Sequence, residues 1–278
     1  MIPFNFDYYK PSTAYEAVAT YQMAADAGKE VLYYSGGTEF ITFARTNQLK
    51  ADVVIDLKSI PECTVLEQNG SECVIGSAVS LNELVTFNLF PLLGETVKRI
   101  ADHTSRNKIT IGGNVNSRLI YREGLLPFLL ADAKVKIARK EKEEIVPLAD
   151  LYKQEITLEP GSFVVQFIVD HAYTTLPFST LKKTRMSQVG YPIVTVSALK
   201  KDQDIRFAFS GVCQYPFRSF EMEKILSDGT MPEQDRIEQA LSKLPGPILH
   251  DSYASAGYRE FVFKNTLADT LQMMEGNQ

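Results

Sequence analysis

The chain has 278 residues, 45% hydrophobic and 23% charged, the balance of a soluble globular protein long enough for two domains. Its formal net charge of -5 argues against nucleic acid as the main partner, and the strongest local basic cluster is Lys182, Lys183 and Arg185. No apolar run nears the ~20 residues needed to span a bilayer, and the opening MIPFNFDYYKP lacks a charged-then-apolar signal pattern, so the cytoplasm is the expected location.

An extended, aromatic-rich segment opens the chain. Thr13 and Glu16 form a capping-box pattern before a helix whose apolar positions are Ala14, Ala17, Val18, Tyr21 and Ala25, with Gly28 placed to close it. Val31–Tyr34 reads as a buried strand, Ser35–Thr38 as a tight loop, Glu39–Thr46 as a helix and Val53–Leu57 as a strand. A hairpin follows, with strands Thr64–Glu67 and Cys73–Gly76 around Asn69-Gly70. Ser80 caps a helix, Pro91 begins another that ends near Ala101, and Thr104–Ser117 is polar and glycine-containing. Leu125–Ala133 is apolar enough for a buried helix, and Lys134–Arg139 pairs with Glu144–Leu148 around the solvated charged run RKEKEE.

Phe163–Val169 is the next strand, and HAYTTLPFST has the proline and threonines of a boundary. Beyond it come long strands, Ile193–Leu199 and Ile205–Val212, joined by Lys201-Asp202-Gln203-Asp204, and then helices near 218–227, 232–243 and 251–275. This order predicts an α+β protein with a first domain over 1–175 and a smaller one over 176–278. There is no internal repeat and no low-complexity tract.

Two glycine loops carry the chemistry. The first, YYSGGTEF (Tyr33–Phe40), follows a strand and opens a helix, where glycines let backbone N–H groups approach an anion closely and Thr38 adds a hydroxyl. It is neither a Walker A motif nor a G-x-G-x-x-G fingerprint, and a purely steric turn is the commoner meaning of such a pair. The second, RNKITIGGNVNSR (Arg106–Arg118), offers Gly112, Gly113, Asn114, Ser117 and Thr110, and also reads as a surface turn. Two such loops about 75 residues apart suit a diphosphate held from two sides.

Cys63, Cys73 and Cys213 are widely spaced and include no C-x-x-C, so the chain cannot supply the four close ligands of a zinc site or an iron–sulfur cluster. Reduced core thiols are expected, with a Cys63–Cys73 bridge across the hairpin as the alternative. His103, His171 and His250 have no metal spacing, and no hydrolase elbow occurs. No residue is assigned as catalytic, and any redox role needs an organic cofactor.

On SGGTEF and KITIGGN the chain resembles the FAD-binding medium subunits of molybdenum hydroxylases, the group of xanthine dehydrogenase and carbon monoxide dehydrogenase. VIGSAVSLNEL, LLPFLLADAKVKI, LKKTRMSQVGYPIVTVSA and FSGVCQYPFRSFEME extend the resemblance over nearly the whole chain. It implies a two-part FAD domain of the vanillyl-alcohol oxidase type, then a small three-stranded antiparallel sheet with a helical bundle. It further implies a [2Fe–2S] partner chain, a molybdenum-cofactor partner chain, and electrons passed through FAD to NAD+ or another acceptor.

Carried over by position, the resemblance places Ser35, Gly36, Gly37, Thr38 and Glu39 at the diphosphate, with Tyr33, Tyr34 and Phe40 alongside, and Ile100 and Ala101 against the flavin. Thr110, Gly112, Gly113, Asn114 and Ser117 become contacts of the second loop. Glu123 falls where relatives carry a hydroxyl-binding aspartate, with a solvent-facing Glu as the alternative. Lys182 matches a lysine near FAD, with a plain surface lysine as the alternative.

The chain departs from the pattern at Gly190, where Asp is common, and at bulky Arg118, Tyr121 and Arg122. Tyr191 reads as a core tyrosine beside Pro192, with stacking near the flavin as the alternative. The competing functions are a stand-alone flavin oxidase or reductase and a flavin-free assembly subunit.

Overall fold

The computed structural model describes residues 1–186 and 189–276, so Ser187 and Gln188 of the motif LKKTRMSQVGYPIVTVSA lie outside the described residues. Three sheets follow one another along the chain.

The first is parallel, with β1 (Asp7–Tyr9), β2 (Val31–Tyr34) and β3 (Val53–Asp56) in the order β1-β3-β2. Central β3 is buried throughout, as a run of Val-Val-Ile covered on both faces must be. Alternation along β2 sends Tyr33 into the cluster of Ala17, Val18 and Ile55, and Tyr34 toward the opposite cluster of Phe40, Ala44 and Val54. Thr13 caps helix Ala14–Asp26, but Glu16 accepts from the backbone and hydroxyl of Ser12, so the expected box closes one residue early. Gly28 leaves that helix at φ +75°, the left-handed conformation glycine tolerates.

The second sheet is antiparallel, order β4-β5-β8-β6-β7, from β4 (Leu66–Asn69), β5 (Glu72–Gly76), β6 (Lys134–Ala138), β7 (Glu143–Pro147) and β8 (Phe163–Asp170). The two predicted hairpins are its outer pairs, and β8 joins them. β4 starts at Leu66 rather than Thr64, because Pro61 opens a helical turn over Pro61–Thr64. The helix from Pro91 stops at Val97, short of Ala101, whose backbone turns left-handed at φ +49°. The apolar run 125–133 holds only a short helix, Leu126–Leu130, because Asp132 is left-handed too. Arg139 is not free in its turn; it pairs with Glu144 and Glu159.

The third sheet is antiparallel, with three long strands, β9 (Phe178–Thr184), β10 (Pro192–Lys201) and β11 (Asp204–Ser210), extended by the two-residue β12 (Phe217–Arg218). β9 begins inside the segment read as a boundary. Val194, Val196 and Ala198 on β10 pack with Phe263, Leu267 and Leu271 of helix Ala256–Glu275. The alternate residues Thr195, Ser197 and Leu199 face the other way, and Leu199 joins the core of the second sheet. No helix among the described residues is long and apolar enough to cross a membrane.

Candidate functional site

β2 and β3 end side by side, Tyr34 opposite Asp56. Ligands of parallel sheets bind beyond such carboxyl ends. The first glycine loop leaves β2 there and turns into helix Thr38–Arg45, with Gly37 at φ +72° as a cap that has no side-chain hydrogen bond. The first N–H groups of that helix therefore lack intrahelical and side-chain partners. The Ser35 hydroxyl is buried with no hydrogen-bond partner among the described residues.

The second loop lies against the first. A Cβ on Gly36 would stand 2.0 Å from the Lys108 carbonyl oxygen and 3.2 Å from the Thr110 nitrogen, so only glycine permits this approach. Ser117 donates to Glu39 at 2.5 Å, and the Arg118 amide donates to the same carboxylate at 3.0 Å. The second loop is itself anchored on residues 77–81, by Leu81 N to Ile109 O, Ile111 N to Val79 O and Gly112 N to Ser77 O, each 2.8–2.9 Å.

One expectation is corrected here. Thr110 caps the short helix Ile111–Val115 and accepts from Gly113 N at 3.3 Å, Gly112 N is spent on Ser77, and Asn114 N on the Thr110 carbonyl. The second glycine pair thus has no free amides. The unpaired donors belong to the first loop, and the second contributes an exposed Gly113 surface and close backbone approach. Asn114 turns its carbonyl oxygen to the Gly124 amide at 2.9 Å.

The flanking residues form a buried network. Lys182 and Glu123 pair at 2.9 Å with side-chain exposures of 4% and 5%, which excludes both the surface lysine and the solvent-facing glutamate. Thr195 donates to the other Glu123 oxygen at 2.7 Å, and Lys182 also donates to the Arg99 carbonyl at 2.8 Å. Arg99 in turn donates to Thr180 O on β9 at 3.0 Å. The adjacent Ile100 and Ala101 carbonyls accept from Arg106, at 3.2 and 2.7 Å. Residues 99–101 are therefore strapped between the third sheet and the start of the second loop.

Other predicted residues have structural tasks. Tyr33 donates to Gly161 O at 2.6 Å, and burial pushes its phenol well above the usual range. Phe40 is buried against Phe6 and Tyr34. Tyr191 is not core: it is 44% exposed and stacks on Tyr121 at 4.9 Å, with Tyr253 edge-on to both. The basic cluster is dispersed, since Lys183 reaches Asp269 and Arg185 donates to Ser252 O. His103 is exposed, the three cysteines are buried free thiols, and no metal-holding group of His, Cys, Asp or Glu occurs among the described residues.

Sequence reasoning missed Asp56, Lys58, Arg99, Arg106 and Thr195. For Thr195 the signal was present: the run Val194-Thr195-Val196-Ser197 alternates apolar and polar residues on a strand buried on both faces. Its polar face had to meet buried partners. The site fits a dinucleotide diphosphate, because it combines an unpartnered buried hydroxyl, uncapped helix amides and a glycine cradle that no side chain could replace. Ser35, Gly36, Gly37 and Thr38 are the residues that line this cradle and could hold such a group.

Residues 4–171 match the family described as the FAD binding domain in molybdopterin dehydrogenase. The chain is 33% identical over 119 residues to the carbon monoxide dehydrogenase medium chain of Hydrogenophaga pseudoflava, a match covering 41% of this chain and 40% of that protein. It is 22% identical to the nicotinate dehydrogenase FAD-subunit of Eubacterium barkeri, with 98% of each chain covered. Its fold superposes on a chain of a Cu,Mo-CO dehydrogenase, in the cyanide-inactivated form, with a TM-score of 0.86, 20% identity and 100% of both chains covered. With a match over residues 4–171, the chain belongs to the FAD-binding domain family of the molybdopterin dehydrogenases and is an oxidoreductase subunit.

Proposed function

We propose that this chain is the electron-transfer subunit of a molybdenum hydroxylase, taking electrons from a partner's [2Fe–2S] clusters and delivering them to NAD+ or another acceptor. The observation that carries the reading is the contact of Gly36 with the Lys108–Thr110 backbone, which makes one site of two distant loops. The names medium chain and FAD-subunit among the relatives denote parts of larger assemblies and support partner chains here. In this reading residues 1–175 form the FAD domain, 176–278 the second domain, and the assembly is cytoplasmic.

Bound FAD supplies the conversion between single-electron and two-electron chemistry. The chain's own residues bind and orient. Ser35, Gly36, Gly37 and Thr38 hold the diphosphate, with Tyr34 alongside. Glu39 and Ser117 keep the loops closed, and Gly112, Gly113, Thr110 and Asn114 shape the second wall. Ile100 and Ala101, fixed by Arg106, form the surface against the ring, and the Lys182–Glu123 pair supports that strap from below. No side chain is required to move a proton.

Reconstitution tests this. The purified chain should take up stoichiometric FAD and show flavin absorption near neutral pH. Co-expression with the neighbouring reading frames should yield a complex containing molybdenum cofactor and iron–sulfur clusters. A chain that stays colourless after incubation with FAD would overturn the reading.

A further inference from the structure

Three parallel strands bring an unassigned group to the first glycine loop. Asp56 ends β3, and its carboxylate accepts the Lys58 amide at 3.0 Å, which caps a tight turn over 57–59. The turn folds the Lys58 side chain back over the sheet end. Its ammonium then donates to both Asp56 oxygens, at 2.8 and 2.9 Å, and to the Ser35 carbonyl at 2.8 Å. All three ammonium protons are thereby used. From β1, the Tyr8 phenol donates to the same Asp56 carboxylate.

The same ammonium sits 4.4 Å from the centre of the Tyr34 ring. That ring presses on Gly37: a Cβ there would lie 2.3 Å from it. Lys58 thus holds the loop at both ends, directly at Ser35 and through Tyr34 at Gly37. In a planar trans peptide the C=O and the following N–H point in opposite directions. Anchoring the Ser35 carbonyl on Lys58 therefore aims the Gly36 amide away from it.

We infer that Lys58, set by Asp56 and Tyr8, is a positioning residue that pre-orients the Ser35–Gly37 backbone for the FAD diphosphate. This rests on the cofactor reading above. Ordering the loop before binding removes an entropic cost that the ligand otherwise bears.

The test uses the 278-residue chain titrated with FAD, ADP and riboflavin, which separate the diphosphate from the ring. Lys58→Met should weaken FAD and ADP together by about ten- to a hundredfold, the worth of hydrogen bonds to a charged donor. Riboflavin affinity should change less than about threefold, and Lys58→Arg should restore most of the loss, since it keeps a cation that can reach the same acceptors. In FAD-free chain, amide exchange over residues 35–40 should quicken in Lys58→Met.

Tyr8→Phe, which removes one phenol from Asp56, should shift FAD and ADP the same way by about two- to fivefold, and it serves if Lys58→Met does not fold. A parent that binds FAD beside a Lys58→Met chain that binds FAD and ADP equally well overturns the inference alone. Equal losses for all three ligands overturn it too, by showing a general structural role. A parent that binds no FAD overturns the cofactor reading and this inference with it.

Discussion

Ser117 and Glu39, 78 positions apart, share a 2.5 Å hydrogen bond that ties the second glycine loop to the first helical turn after the first. The carboxylate also takes the Arg118 amide at 3.0 Å, so removing it leaves two donors without an acceptor. Glu39→Leu should therefore loosen FAD by about tenfold or more, and Ser117→Ala by less, since the Arg118 bond survives. Quenching of flavin fluorescence during titration measures both. Parent-like affinity in Glu39→Leu would mean the loops stay closed without this tie.

Gly36→Ala should be the most damaging single methyl in the site. Its Cβ would meet the Lys108 carbonyl oxygen at 2.0 Å, which is backbone and cannot swing aside. The two loops must part, so flavin retention should fall sharply and the melting temperature should drop. Gly229→Ala is the control, because nothing lies within 4 Å of a Cβ there. Similar flavin content in the two variants would show that loop contact is not what holds the cofactor.

The site was legible where local chemistry is strong and illegible where the tertiary fold decides. The loop at Ser35–Thr38 announced itself by two glycines between a strand and a helix. The second glycine pair was equally visible, but not the fate of its amides, because that depends on Thr110 taking the cap and on Ser77 lying alongside. Lys58 carried no motif; only the parallel register of Tyr34 with Asp56 brings it to Ser35. Strand β9 was hidden because HAYTTLPFST is polar and holds a proline, while its pairing with β10 supplies the order. Ala101 shows the same limit, since nothing local favours left-handed backbone in an alanine.

Asp132 should make stability fall in acid. It joins the second and third sheets, accepting from Arg206 at 2.6 Å, Arg218 at 2.8 Å and Tyr173 at 2.7 Å. Burial pushes its carboxyl up, but the hydrogen bonds from Tyr173 and Arg206 outweigh this and hold it below the ordinary 3.8. A lowered folded value means the contribution is complete above about 3.8 and is lost as pH falls through the folded value. Asp132→Asn should accordingly flatten the acid limb of a plot of urea midpoint against pH, leaving the region near pH 7 offset but parallel. Identical slopes below pH 4 for parent and variant would rule this contribution out.

The Lys182–Glu123 pair gives the sharpest stability prediction, because both side chains are almost wholly buried. Lys182→Met leaves Glu123 as a buried carboxylate with only the Thr195 hydroxyl, and breaking such a pair from one side costs about 3–5 kcal/mol. The Arg99 carbonyl also loses its donor, so the strap through Ile100 and Ala101 should loosen and carry flavin affinity down with it. Replacing both partners, Lys182→Met with Glu123→Leu, removes the stranded charge and should recover most of the folding stability. Flavin affinity should not recover in the double variant, since the strap still lacks its anchor. Urea unfolding and FAD titration on the three proteins separate the two effects. If stability and flavin affinity return together, the pair serves folding alone and the strap does not depend on it.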